Sequence, residues 1–227
     1  KEKDGVMFRT YAPGAAKVTV FGEFNHWTEE EMQQDGQSGV YELKSAKAEV
    51  GMMYKYCIYA KEGWRVEHCD PYGFGMELRP NSASYIVDLS EYRFHDAKWM
   101  KNRDKNYNRP LNIYEVHLGS WRTNEKDANG WYRYHEIADQ LIMYAKENGY
   151  THLEFLPLSE HPADCSWGYQ NTGYFSPTSR YGTARDLMEL VDKCHQAGIG
   201  VIMDFVPIHF ATDYYGLANY DGTQLYE

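Results

Sequence analysis

No apolar run in this sequence approaches the roughly 20 residues that a membrane-spanning helix requires, so no membrane partner is expected. It also lacks a basic stripe. Its 33 acids and 23 bases leave a net charge of -10, the wrong sign for gripping a phosphate backbone, and no nucleic-acid partner is expected. The first residues, KEKDGVMFRTYAPGAA, have neither the apolar stretch nor the small-residue cleavage site of a secretory leader. Cysteine is scarce: Cys57, Cys69, Cys165 and Cys194 form no Cys-x-x-Cys pair. They read as reduced thiols of a cytoplasmic protein. His117, His161 and His209 follow no metal-ligand spacing, and no metal is expected.

What the sequence does have is a core and many aromatics. Hydrophobic residues make up 43% and charged residues 25%, as in globular proteins. Aromatics reach 16%, with 21 tyrosines and 6 tryptophans. Flat apolar rings stack on sugars, and they also fill cores and interfaces, so composition leaves both uses open.

The chain changes grammar along its length. Residues 1–95 carry short alternating runs, KVTVFGEF, VYELKSA, YKYCIYA and ASYIVDL, separated by APGAA, DGQSG, KEGW and RPNS. Short strands with turn signals at this spacing predict a β-sandwich. Residues 96–110, DAKWMKNRDKNYNRP, read as a polar linker with some helical character. Residues 111–227 then alternate LNIYEVHL, a helical pattern through Ile137, Leu141, Tyr144 and Ala145 ending at Gly149, THLEFLPL, a second helix from the N-cap Thr183 to the stop at Gly198, and IGVIMDFV. This β-α-β-α-β order predicts a parallel sheet buried on both faces.

In barrels built from such units, the residues that serve ligands sit where strands end at their carboxyl side. Asp204 ends the third strand and His209 follows it. By themselves they read equally as a strand-end cap with a satisfied loop histidine, or as ligand contacts. The long loop after the second strand, SEHPADCSWGYQNTGYFSPTSRYGT, is of a length that usually carries function. Glu115 and His117 share a strand face and could converge as an acid/base pair.

The segments NIYEVHLGSW, EHPADCSWGYQNTGYFSPTSRYGT, GIGVIMDFVPIHF and GLANYDGTQLYE resemble the 1,4-α-glucan branching enzymes of the α-amylase superfamily. YAPGAAKVTVFGEFNHW and DPYGFGMELRPNSASYIVDL resemble the glycogen-binding module that precedes the barrel in that family. Cys165 and Ala163 stand where a glycine and a large aromatic are usual, and Ile208 where a glycine is common.

The resemblance implies an immunoglobulin-like β-sandwich over residues 1–95, the linker, and over 111–227 the first βαβαβ part of a (β/α)8 barrel. The remainder of the barrel is expected to pack on the third strand. It implies cleavage of an α-1,4-glucan and transfer of the freed chain to a glucose O6 by a retaining double displacement, which needs two carboxyl groups and no cofactor. The nucleophile and acid/base are expected beyond Glu227. Asp204 and His209 are implied to line the subsite of the sugar being cleaved, with Tyr169 stacking under it and Gln170 within reach. In the module, Trp27, Lys55 and Trp64 match points that grip glucan. Two other readings stay open: a stand-alone, non-catalytic glucan-binding protein, and a fragment of a debranching or trehalose-releasing amylase relative.

Overall fold

The computed structural model describes residues 4–103 and 108–227. Residues 104–107 of the expected linker, and 1–3 of the expected first module, lie outside the described residues. The chain packs as two units. One comprises residues 1–88 with 159–177 and 207–227, and the other residues 89–158 with 178–206.

Alternating patterns become strands through the first 85 residues: β1 (Val6–Tyr11), β2 (Ala15–Gly22), β3 (Glu30–Glu31), β4 (Gln33–Gln34), β5 (Val40–Ser45), β6 (Met53–Ala60), β7 (Arg65–His68) and β8 (Ser84–Tyr85). ASYIVDL is extended only at β8, because just Tyr54 and Met53 of β6 pair with it. One sheet runs β1-β5-β4 and the other β3-β2-β6-β7, with β8 added on β6. All of these pairs are antiparallel. Val6 and Phe8 of β1 and Tyr41 of β5 meet Val18 and Val20 of β2 and Tyr56 and Ile58 of β6 in one core. This is the immunoglobulin-like sandwich.

The first unit also takes in two distant segments. β11 (Ser159–Glu160) and β12 (Gly173–Pro177), numbered in chain order, pair as a bulged antiparallel hairpin. Residues 207–227 dock on the sandwich. Tyr220 is fully buried in its core, with its hydroxyl 2.6 Å from the Thr10 hydroxyl. The Gly14 amide donates to the Asp221 carboxylate at 2.6 Å. A Cβ at Gly14 would lie 2.8 Å from that carboxylate oxygen, so the turn after β1 needs glycine to admit it.

In the second unit, α1 (Ala97–Asn102) precedes β9 (Ile113–Val116), α2 (Leu118–Trp121), α3 (Tyr134–Glu147), β10 (His152–Phe155), α4 (Ala184–Gln196) and β13 (Gly200–Met203). The strands are parallel in the order β13-β10-β9. Among the described residues they form an open three-stranded sheet, the opening βαβαβ part of a barrel fold. α3 presents Ile137, Leu141 and Ala145, and α4 presents Leu190 and Cys194, to Val116, Leu153 and Phe155. Tyr144 instead joins Tyr114 and Tyr150 in an aromatic group beside that core. α4 starts as its sequence dictates: the Thr183 hydroxyl accepts from the Asp186 amide at 3.3 Å while the Asp186 carboxylate accepts from the Thr183 amide at 2.8 Å, a capping box.

Among the described residues the second face of the parallel sheet is half-buried at His152 and Glu154 of β10. Both helices pack on the face of Val116, Leu153 and Phe155, and on β9 the alternate residues Ile113 and Glu115 are exposed. No described helix is long and apolar enough to cross a membrane. All four cysteines are free, with Cys57, Cys69 and Cys194 buried and Cys165 exposed.

His68 ties β7 to the docked segment. Its Nδ1 lies 2.9 Å from the Gly216 carbonyl, and its ring packs on Tyr220 at 4.7 Å. Nε2 is buried without a hydrogen-bond partner among the described residues. Burial pushes the imidazole from 6.5 down to about 4, so the fold holds it neutral. A depressed histidine contributes stability above its unfolded value and loses it on acidification. Between pH 6.5 and about 4 the first unit is therefore expected to lose roughly 3 kcal/mol, at about 1.4 kcal/mol per pH unit. Urea titrations of the wild type and His68→Phe across that window check this. A slope that persists unchanged in the variant contradicts the assignment.

Candidate functional site

The sheet of the second unit sets Asp204. Its amide donates to the Phe155 carbonyl at 3.0 Å, extending the ladder one residue past β13. The half-buried side chain thus stands at the carboxyl end of the strand. Glu115 is exposed, and His117 lies past the strand end with Nδ1 2.8 Å from the Ser120 hydroxyl. Burial, and then the charge of Arg180, lower the His117 pKa.

In the first unit, the loop between β11 and β12 displays Tyr169 and Gln170. A short 3-10 turn, Asp164–Ser166, leads into two left-handed residues, Trp167 (φ 54°) and Gly168 (φ 87°). The reversal is closed by the Tyr169 amide donating to the Ser166 carbonyl at 3.0 Å. The loop is clamped at its base: the Thr172 amide donates to the Glu160 carbonyl at 2.8 Å, and the His161 amide to the Glu160 carboxylate at 3.0 Å. The buried His161 ring places Nδ1 2.9 Å from the Ser159 carbonyl. At its side, the Arg79 guanidinium makes a two-point contact with the Asp164 carboxylate, Nε at 2.8 Å. At its floor, Gly173 lets the strand lie against Met76; a Cβ there would come within 2.5 Å of the thioether sulfur.

His209 joins this loop within the same unit. The Ala211 amide donates to the Asn171 carbonyl at 2.9 Å, setting the segment of His209 beside that of Tyr169 and Gln170. His209 is exposed and left-handed, with φ 60°. Tyr169 and Gln170 are exposed as well. A ring face, a primary amide and an imidazole suit an uncharged polyhydroxyl ligand, which offers flat C–H surface and hydrogen-bonding edges.

The module residues separate. Phe21 and Lys55 are register partners on β2 and β6, and Trp27 packs edge-on against Phe21 at 5.9 Å. Trp27 and Lys55 therefore share the outer face of that sheet, and Trp27 is 43% exposed. Two consecutive left-handed residues, His26 (φ 56°) and Trp27 (φ 58°), project the indole outward. Trp64 lies past the far end of β6 and packs by Gly222 and Ala60, so it does not join the other two.

The same face carries a polar cluster that the sequence did not single out. The Glu29 carboxylate accepts from the Thr19 hydroxyl at 2.7 Å, the Tyr59 hydroxyl at 2.8 Å and the Arg65 guanidinium at 2.5 Å. Burial raises its pKa, but these bonds outweigh burial and hold the carboxyl below its usual value. Arg79, Asn171 and Glu160 position the Tyr169 loop. Each acts through partners 40 or more residues away or through the backbone.

Comparisons with known proteins follow the same division. Residues 1–73 match the carbohydrate-binding module 48 family (isoamylase N-terminal domain). Residues 122–220 match the alpha amylase catalytic domain family. The 1,4-alpha-glucan branching enzyme GlgB of Thermosynechococcus vestitus is 47% identical over 249 residues, covering 99% of this chain and 32% of that protein. GlgB of Dechloromonas aromatica is 48% identical, covering 98% of this chain and 36% of its own length. The chain spans about a third of the length of these relatives. Among solved structures, a Salmonella typhimurium protein described as a candidate alpha amylase is similar with a TM-score of 0.75 at 27% identity, covering 93% of this chain and 33% of its own. A Paenibacillus barengoltzii pullulanase, solved with maltohexaose and alpha-cyclodextrin, gives a TM-score of 0.75 at 20% identity over 97% of this chain and 39% of its own, a likeness of fold.

Because the Arg79–Asp164 pair is partly exposed, its removal is expected to cost at most about 1 kcal/mol of global stability. Its effect should be local. In Arg79→Ala, amide exchange from Asp164 to Tyr169 should quicken at least tenfold while the thermal midpoint stays within about 4 °C. Unaltered exchange in the loop would show that the clamp at its base suffices.

Proposed function

We propose, from the premise that this chain belongs with the 1,4-α-glucan branching enzymes of the α-amylase superfamily, that it is the glucan-gripping front part of such an enzyme. The parent cuts an α-1,4 bond and transfers the freed chain to a glucose O6 with retention. Retention requires two closely spaced carboxyl groups, one attacking the anomeric carbon and one protonating the leaving oxygen. In this reading both lie outside these 227 residues, and the parent acts in the cytoplasm without a cofactor.

One observation carries the reading: within one packed unit, the exposed Tyr169 and Gln170 stand beside the segment of His209, joined by the Asn171–Ala211 bond. Tyr169 stacks on a glucose ring and His209 hydrogen-bonds a sugar hydroxyl. By the resemblance, Asp204, at its strand end, serves to orient active-site groups of the parent. In the module, Trp27 and Lys55 bind a remote stretch of the same polymer. A left-handed non-glycine residue costs roughly 1–2 kcal/mol, and two in succession at Trp27 favour a surface shaped for contact over a mere spacer. Trp64, packed elsewhere, contributes little.

The second reading, a stand-alone glucan-binding protein, has its own support. The first unit holds both the Trp27–Lys55 face and the Tyr169 loop without residues of the parallel sheet.

Two measurements test these readings. In affinity gels containing glycogen, Trp27→Ala with Lys55→Ala should weaken retardation of the chain about tenfold, and Trp64→Ala less than twofold; equal losses would reject the division. In the full-length enzyme, Tyr169→Ala or His209→Ala should lower turnover roughly ten- to a thousandfold with little change in melting. Tyr169→Phe, which keeps the ring, should be milder. Formation of α-1,6 linkages from amylose by the 227-residue chain alone would overturn the placement of the reacting carboxylates.

A further inference from the structure

Trp27 reaches solvent from a turn held against its own backbone preference. His26 (φ 56°) and Trp27 (φ 58°) are consecutive left-handed residues, and neither is glycine. Such a pair persists only where the structure around it over-determines it. The chain must therefore be gripped on both sides of the indole.

On the entry side the grip is made by the backbone and by Asn25. The Trp27 amide donates to the Gly22 carbonyl at 2.8 Å, and the Thr28 amide to the Asn25 carbonyl at 3.1 Å. The buried Asn25 side chain accepts from the Gly22 amide at 2.8 Å and donates to the Val20 carbonyl at 3.4 Å. On the exit side the backbone offers less. β3 is two residues long and meets β2 only at Thr19 and Val20. The next anchor is Met32, which is buried in the sandwich core and whose amide donates to the Val18 carbonyl at 2.9 Å.

Glu29 stands between Trp27 and β3, and its carboxylate supplies the missing grip. One oxygen accepts from the Thr19 hydroxyl of β2 at 2.7 Å and the Tyr59 hydroxyl of β6 at 2.8 Å. The other accepts from the Arg65 guanidinium of β7, with Nη2 at 2.5 Å and Nε at 3.2 Å. A side chain two residues after the indole is thus tied to three strands. With donors on both oxygens, one of them a two-point guanidinium, the carboxylate is fixed in place and in rotation. Its partners are held in turn: the Lys17 ammonium lies 4.0 Å from the centre of the Tyr59 ring, and Arg65 also meets Glu67 at 3.2 Å.

We propose that Glu29 is a positioning residue for the glucan face of the module: it makes no sugar contact itself, and it locks the turn so that the Trp27 indole is presented beside Lys55. The proposal rests on the reading of Trp27 and Lys55 as glucan contacts. Without the carboxylate, Asn25 and Met32 still hold the two flanks, so the sandwich stays folded. The turn between them relaxes out of its left-handed conformation. The indole then settles onto Phe21, which it already meets edge-on at 5.9 Å. Affinity falls by the fraction of molecules that still present the ring.

Affinity gels containing glycogen, run as a double-variant cycle, test this. Glu29→Ala should weaken retardation roughly threefold or more in the otherwise wild-type chain. In the Trp27→Ala background the same change should cost less than about 1.5-fold, because a residue that acts through the indole has nothing to act on once the indole is gone. Glu29→Gln keeps an oxygen for Thr19 and Tyr59 and loses the charge that Arg65 pairs with. It should fall between the wild type and Glu29→Ala, and it replaces the alanine variant in the cycle if that variant melts early. Amide exchange at Trp27 and Thr28 should quicken at least tenfold in the Glu29 variant, while Val20 and Ile58 keep their protection. Retardation unchanged by the loss of Glu29, an equal loss in both backgrounds, or unaltered exchange at Trp27 and Thr28 would each overturn the proposal. Retardation that Trp27→Ala itself leaves intact would overturn the glucan reading of this face, and the proposal only through it.

Discussion

The burial of Tyr220 is the interaction on which the placement of the Tyr169 loop depends. Its ring fills the interior of the sandwich, far along the chain from the strands around it. Burying an aromatic ring contributes roughly 2–3 kcal/mol, whereas each of the attendant hydrogen bonds, from Thr10, Gly14 and His68, adds about 1 kcal/mol. Burial and the three hydrogen bonds together therefore contribute comparable amounts, and the polar contacts also set the register. Once residues 207–227 are held in this way, the Ala211–Asn171 bond fixes where His209 lies relative to Tyr169.

Backbone strain gathers at the surfaces proposed above for sugar. Among the described residues, the non-glycine residues with positive φ are His26, Trp27, Trp167, His209 and Asn219. Four of these present a ring from a turn of the sandwich or from the loops around Tyr169. Each costs on the order of 1 kcal/mol or more, which the rigid hairpins and the docked segment offset. An unstrained turn would leave these rings free to fold back onto the apolar surface beneath them.

Much of this was legible in sequence wherever the determining interactions are local. The period of Ile137, Leu141 and Ala145, the Thr183 cap, and the stops at Gly149 (φ 72°) and Gly198 (φ 81°) all act within a few residues. The alternation of YKYCIYA survives as β6 for the same reason. The membership of residues 159–177 and 207–227 in the first unit was not legible, because it rests on contacts such as Thr10–Tyr220, 210 positions apart. Tyr169, Gln170 and His209 were nominated by motif, and their proximity emerged only from the fold. Trp64 matched by motif, yet it follows the far end of β6 from Lys55, beside Gly222.

Amide hydrogen exchange at Ala211, compared between the wild type, Tyr220→Phe and Tyr220→Ala, tests the central claim most directly. Loss of the ring should raise exchange at Ala211 and Thr172 at least a hundredfold, whereas loss of the hydroxyl alone should raise it less than tenfold. If Ala211 stays as protected in Tyr220→Ala as in the wild type, the buried tyrosine does not hold the Tyr169 loop in place.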